Sequence, residues 1–106
     1  MSYRYMRVLV MFDLPVLTAQ QRKAYTQFRK HLIKSGFIML QESIYCKLVQ
    51  NTTAAEAVIA NIKKKKPSEG LIQLLKITER QYSKMEYLVG DRKSSVLDTD
   101  DRVVII

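Results

Sequence analysis

Apolar residues fall along this chain in short runs separated by polar segments of helical spacing. Arg7-Val8-Leu9-Val10-Met11-Phe12 is a continuous apolar, β-branched run and predicts a strand buried on both faces. Asp13-Leu14-Pro15 ends it, because proline has no N–H to give to a ladder. Thr18-Ala19-Gln20-Gln21 has the Thr-x-x-Gln form of a capping box, so a helix starts at Ala19. Tyr25, Phe28 and Leu32 recur on one face and form its buried stripe. Lys34-Ser35-Gly36 stops the helix, with Gly36 suited to the left-handed position after its end.

Residues 37–40 and 43–49 read as two strands, or as one strand bent around Gln41-Glu42. No Asn-Gly or Asp-Gly marks a turn there. Thr53-Ala54-Ala55-Glu56 is a second capping pattern, followed by the apolar face of Val58, Ile59 and Ile62. Lys63-Lys64-Lys65-Lys66 closes that helix before Pro67. Leu71-Ile72-Gln73-Leu74-Leu75-Lys76-Ile77 is a further strand, apolar on both faces. Residues 78–84 predict a helical turn and 86–89 a short strand. Residues 90–102 are polar, and the chain ends on Val103-Val104-Ile105-Ile106.

The order βαββαβ is the ferredoxin-like α+β arrangement with an antiparallel sheet. Its helices cover one face only, whereas the first and fourth strands are apolar on both. In 106 residues no helix is left to cover the second face, so a second copy of the chain is expected there. The predicted organisation is a domain over residues 1–89 and a tether with a terminal strand over 90–106. Val103, Val104, Ile105 and Ile106 would add to the sheet edge of the partner in a swapped homodimer.

Charge narrows the function. The chain carries 18 Lys and Arg against 10 Asp and Glu, a formal net charge of +8. A small basic domain of this kind meets a polyanion, so nucleic acid or a membrane surface leads. Residues 1–41 hold seven basic groups and one acid, Asp13, while 91–106 are slightly acidic. The positive field therefore belongs to the folded body and not to a disordered arm. At 100° per residue, Arg22, Lys23, Arg29, Lys30 and Lys34 fall within an arc of roughly 140° opposite the buried stripe. Five cations with no acid among them point to phosphate-backbone contact more than to a merely solvated face. Lysines 63–66 suit the negative end of the second helix, a role compatible with phosphate contact. The aromatic residues are scattered and form no stacking platform, so shape and backbone recognition of a duplex is expected.

Other classes drop out. There is no His-Glu-x-x-His, Cys-x-x-Cys, phosphate-binding loop or Gly-x-Ser-x-Gly. No apolar run reaches the roughly 18 residues of a membrane span. The start lacks the pattern of a signal peptide, and Cys46 alone forms no internal disulfide, so a cytoplasmic setting without membrane contact is expected. His31 reads as a surface or boundary residue and Cys46 as a small buried hydrophobe. Asp13 has two readings. It either caps the bend at Asp13-Leu14-Pro15 or serves as a ligand for a hard cation such as magnesium. One carboxylate is a poor site; two brought together by a two-fold axis could hold a hydrated ion near a phosphodiester.

Three segments carry a family resemblance. Met11-Phe12-Asp13-Leu14-Pro15, Gly36-Phe37 with Gln41-Glu42-Ser43-Ile44-Tyr45, and Thr78-Glu79-Arg80-Gln81-Tyr82 resemble the CRISPR-associated Cas-two proteins, the last in the branch accompanying type II systems. The resemblance implies a ferredoxin-like homodimer with a C-terminal strand paired to the other protomer. It implies a central scaffold in spacer acquisition that binds prespacer duplex DNA and bridges dimers of the Cas-one integrase, which residues 90–102 would also meet. Asp13 matches the family's metal-binding aspartate, which implies Mg2+ as cofactor. The alternative it carries is a magnesium-dependent endonuclease on RNA or DNA, with Asp13 of both protomers catalytic. A regulatory domain that binds only a small molecule or protein is the third reading, and the charge speaks against it.

Overall fold

The structure, a computed structural model, describes residues 5–90. Strand β1 (Met6–Asp13) lies between β3 (Ile44–Val49) and β4 (Leu71–Thr78), antiparallel to both, and β2 (Ile38–Gln41) pairs with the outer side of β3. The strand order is β2-β3-β1-β4. Helix α1 (Ala19–Lys34) links β1 to β2, α2 (Thr52–Lys64) links β3 to β4, and a short α3 (Glu79–Ser83) follows β4. This is the predicted βαββαβ order.

Alternation along β1 sends Val8, Val10 and Phe12 to the helix side, and all three are buried. They pack with Tyr45 and Val49 of β3, Phe28 and Leu32 of α1, and Ala55 and Ile62 of α2. Phe12 is the aromatic centre, edge-on to Phe28 at 5.4 Å and stacked on Tyr45 at 5.7 Å between centroids. Such pairs add about 0.5–1.5 kcal/mol each beyond the area they bury.

The helix ends follow local chemistry. Thr18 accepts from the backbone N–H of Gln21, whose side chain accepts from that of Thr18, so the predicted capping box forms. Helix α2 starts two residues before the expected Ala54, because Asn51 is its cap and accepts from the N–H of Ala54. Asparagine caps at least as well as threonine, so a cap at Asn51 adds a half-turn to the helix ahead of the expected Thr53. At the end of α1 the Gly36 N–H reaches the Ile33 carbonyl and the Phe37 N–H reaches that of Leu32, with Gly36 at φ 95°. This Schellman arrangement requires the left-handed conformation. A Cβ added at Gly36 would meet only the mobile end of Lys47, so the cost of Gly36→Ala is conformational. It is about 1–2 kcal/mol, a fall of roughly 4–8 °C in Tm per kcal/mol, to be read by thermal unfolding.

One open alternative resolves and one expectation changes. Residues 37–49 form two strands with their turn at Glu42 and Ser43. Among the described residues no non-glycine residue has positive φ, which excludes the mirror-image hairpin turns, and a register shift between Met39 and Gln41 absorbs the mismatch. The strand expected at 86–89 is absent: residues 85–90 are irregular, with Leu88 and Val89 90% and 93% exposed. Helix α3 takes the chain across the sheet face opposite α1 and α2, held by its contacts to β1, and so away from the free edge of β4.

That second face is partly covered. Leu9 and Cys46 are buried on it, while Leu71, Leu75, Ile38 and Leu48 remain 44–55% exposed. The terminal strand Val103 to Ile106, and the tether beyond Gly90, lie outside the described residues. Among the described residues no helix is long and apolar enough to cross a membrane.

Candidate nucleic-acid interface

Helix α1 contains no acidic residue, and its five cations divide into two kinds once side chains are placed. Arg22 donates to the carbonyls of Val16 and Leu17 at 3.2 and 2.9 Å, which braces the loop leading into the helix. Arg29 donates through Nε to the hydroxyl of Tyr45 at 2.8 Å and so satisfies a phenol whose ring is fully buried. Both arginines therefore hold the fold together with part of their guanidinium groups. Lys23, Lys30 and Lys34 are exposed and form no ion pair among the described residues. The basic face predicted from the helical wheel is present, with its lysines as the free charges.

The fold adds cations from a second element. Lys65 and Lys66 follow α2, and the segment through Pro67 turns back along α1, where Gln21 donates to Glu69 at 3.1 Å. Lys30, His31 and Lys34 on one side and Lys65 and Lys66 on the other then line a single groove. The two lysine groups lie on α1 and just after α2, and periodicity within either helix does not bring them together. Pro67, which ends α2 and reverses the chain, was the available signal for their meeting.

Asp13 is the last residue of β1, paired with Leu71 and exposed. Strand alternation sets it on the sheet face opposite α1, so the structure does not gather Asp13 and the lysines into one site. Its backbone is closely approached by Gly70 at φ 99°, where an added Cβ would sit 3.0 Å from the Asp13 carbonyl oxygen and 2.6 Å from Leu14 Cδ2. A side chain at position 70 would displace the end of β1 and the carboxylate with it.

On the same face, Arg7 and Glu79 form a two-pronged ion pair at 2.6 and 3.1 Å, with the Tyr82 ring 4.2 Å from the Arg7 guanidinium carbon. Arg7 also donates to Cys46 Sγ at 3.7 Å. Burial pushes the Cys46 thiol up against the opposing pull of Arg7, so it stays protonated and inert, as expected of a small buried hydrophobe. This cluster escaped sequence reasoning, because Arg7 and Glu79 lie 72 residues apart.

The family model for CRISPR associated protein Cas2 matches residues 6–85. This chain is a member of the Cas2 family. Over 101 residues it is 52% identical to the CRISPR-associated endoribonuclease Cas2 of Treponema denticola, covering 95% of this chain and all of that one. The corresponding protein of Streptococcus mutans is 48% identical over 101 residues, 95% of this chain and 93% of its own. A solved structure described as a crystal structure of cas2 shares the fold at a TM-score of 0.58 and 17% identity, over 85% of this chain and 92% of that one.

Within this Cas2 chain the resembling segments have identifiable structural work. Met11 to Pro15 ends the central strand, Glu42 and Ser43 make the β2–β3 turn, and Thr78 caps α3 through a capping box with Gln81. A metal site within one Cas2 chain does not fit the donors present. Among the described residues no group of three His, Cys, Asp or Glu side chains comes together. Magnesium keeps most of its waters and is held by one or two carboxylates, so one chain offers it at most the single ligand Asp13 at this strand end.

Proposed function

We propose that this Cas2 family member is the dimeric, DNA-binding scaffold of a spacer-acquisition complex, in which it holds a prespacer duplex by its phosphates and bridges dimers of a Cas-one integrase. The observation that carries the reading is the set of uncompensated lysines on α1, joined by Lys65 and Lys66, beside a carboxylate that stands apart from them. Such a surface binds a duplex by neutralising phosphates and releasing counterions, with no sequence readout. Dimer formation is supported by the half-exposed leucines of the second sheet face and by the exposed Leu88 and Val89 leading toward the tail. Covering them with a second copy removes apolar surface from water, worth roughly 25 cal/mol per Å2.

The test is reconstitution. The full chain, mixed with a Cas-one integrase and a short duplex, should co-elute with both in size-exclusion chromatography at a mass that contains two copies of this chain. Elution of the three components separately at 0.1 M salt would reject the scaffold.

A second reading has its own observation. The relatives in Treponema denticola and Streptococcus mutans are named endoribonucleases, and Asp13 is an exposed carboxylate at a strand end, on the face a second copy would cover. In that reading the Asp13 carboxylates of both protomers share a hydrated magnesium ion, which would supply the charge stabilisation for phosphodiester hydrolysis. Among the described residues no cluster of His, Cys, Asp or Glu side chains forms with Asp13 that could share the chemistry, so this activity ranks below the scaffold.

A further inference from the structure

The groove between α1 and the segment after α2 has a composition that neither helix explains alone. It encloses about 430 Å3 and is lined by Lys30, His31, Lys34, Lys65 and Lys66, with no Asp or Glu. Ammonium groups brought together from two elements repel one another, and an anion between them relieves that repulsion. The helix dipole accounts for Lys63 and Lys64, which stand in the last turn of α2. Lys65 and Lys66 lie beyond that turn and line the groove facing α1, with Lys66 Nζ also donating to the Lys63 carbonyl at 3.4 Å. His31 adds an independent observation: its Nε2 is shielded from solvent and has no hydrogen-bond partner among the described residues. A shielded ring nitrogen without a partner is uncommon, and when the ring is protonated this nitrogen becomes a donor, a charge that an anion in the groove would stabilise.

We propose that this groove is a phosphate-binding subsite that takes phosphodiester oxygens of a nucleic-acid strand between α1 and the Lys65-Lys66 segment. The inference rests on the nucleic-acid reading above and extends it to a second element and to a titratable residue. His31 gives it a distinctive signature. In the free chain its imidazole is held below the ordinary histidine value, by burial first and then by Lys65 and Lys34. The groups lining the groove around it are Lys30 and Lys34 from α1 and Lys65 and Lys66 from the opposite wall, all cationic. A phosphate among them offsets their repulsion of an imidazolium, so binding raises the imidazole pKa and takes up a proton. Duplex binding therefore tightens as pH falls through the titration of His31.

The chain contains one histidine, so its ring-proton NMR signals identify themselves. Titrated from pH 8 to pH 5, the His31 midpoint should rise by about one unit when a saturating short duplex is present. An unmoved midpoint with duplex bound overturns the proposal. An equal rise with millimolar inorganic phosphate alone assigns the groove to a free phosphate and overturns the strand reading. Affinity supplies the second measurement. Lys65→Gln with Lys66→Gln should weaken duplex binding on the order of 50-fold at 0.1 M salt and lower the salt slope by about 2. Lys63→Gln with Lys64→Gln removes the same charge outside the groove and should cost far less. Equal losses from the two pairs would reduce the effect to net charge and sink the proposal. Absence of any duplex binding by the unaltered chain would sink the nucleic-acid reading itself, whereas binding that ignores Lys65 and Lys66 sinks only the groove.

Discussion

Replacing Lys23, Lys30 and Lys34 together by glutamate is expected to lower duplex affinity at least about 100-fold at 0.15 M salt and to cut the slope of log affinity against log salt by about 3. The physical reason is counterion release. Each phosphate neutralised contributes about 0.9 to that slope, and three lost contacts compound at physiological salt. The structure decides which cations make the experiment clean. Arg22 braces two loop carbonyls and Arg29 satisfies the buried Tyr45 hydroxyl, so altering either changes the fold as well as the charge. Leaving the Tyr45 hydroxyl without its partner alone costs about 1–3 kcal/mol. Lys23 and Lys30 carry no such duty, whereas Lys34 stands in the last turn of α1, where a glutamate opposes the helix dipole, so the triple variant should lose about 1 kcal/mol against the parent and stay folded. The measurement is duplex binding by anisotropy over a range of salt, with thermal unfolding alongside. Unchanged affinity in a folded variant would remove the DNA-binding reading of α1.

The fold was largely legible because its signals are local. The capping box at Thr18, the Tyr25-Phe28-Leu32 stripe and the Gly36 stop bound α1 at both ends as expected, since each depends on residues within one turn. At α2 the expected start failed: the Thr53 pattern pointed to Ala54, whereas Asn51 takes the cap and the helix begins at Thr52. The β2–β3 turn was illegible for a different reason. It uses neither glycine nor a positive-φ residue and relies on a bulge, which leaves no mark in composition. The missing strand at 86–89 shows a limit of propensity: a β-prone segment forms a strand only where a free edge meets it, and α3 leads the chain elsewhere.

The candidate site was legible as residue types and less so as geometry. The basic arc of α1 follows from 100° per residue, which fixes direction but not the reach of a long side chain. Arg29 shows the difference, since its stem leaves the outer face while its Nε turns inward to Tyr45. The meeting of Lys30 and Lys34 with Lys65 and Lys66, and of Arg7 with Glu79 and Tyr82, depends on contacts between distant parts of the chain. Periodicity carries no information of that kind.

Asp13→Ala should separate the two proposed activities. Divalent-dependent cleavage of RNA or DNA by the purified chain, where present, should fall to background, while duplex affinity and co-elution with the integrase stay within about twofold of the parent. The separation follows from position. Asp13 lies on the sheet face opposite α1, so its loss removes no phosphate contact made by the lysines. It makes none of the side-chain hydrogen bonds or ion pairs among the described residues that hold the fold, and its strand pairing with Leu71 uses the backbone, which alanine retains. Stability should therefore change by less than about 0.5 kcal/mol. Gly70→Ala offers a second handle on the same carboxylate, because the new Cβ presses on the Asp13 carbonyl and Leu14 and shifts the strand end without deleting the carboxylate. It should reduce cleavage and leave duplex binding intact. Cleavage that survives Asp13→Ala would belong to a contaminant or to other residues, and the shared-magnesium reading would end there. A collapse of duplex binding in Asp13→Ala would have the opposite meaning: the carboxylate would be part of the binding interface, and the scaffold could no longer be argued from the lysines alone.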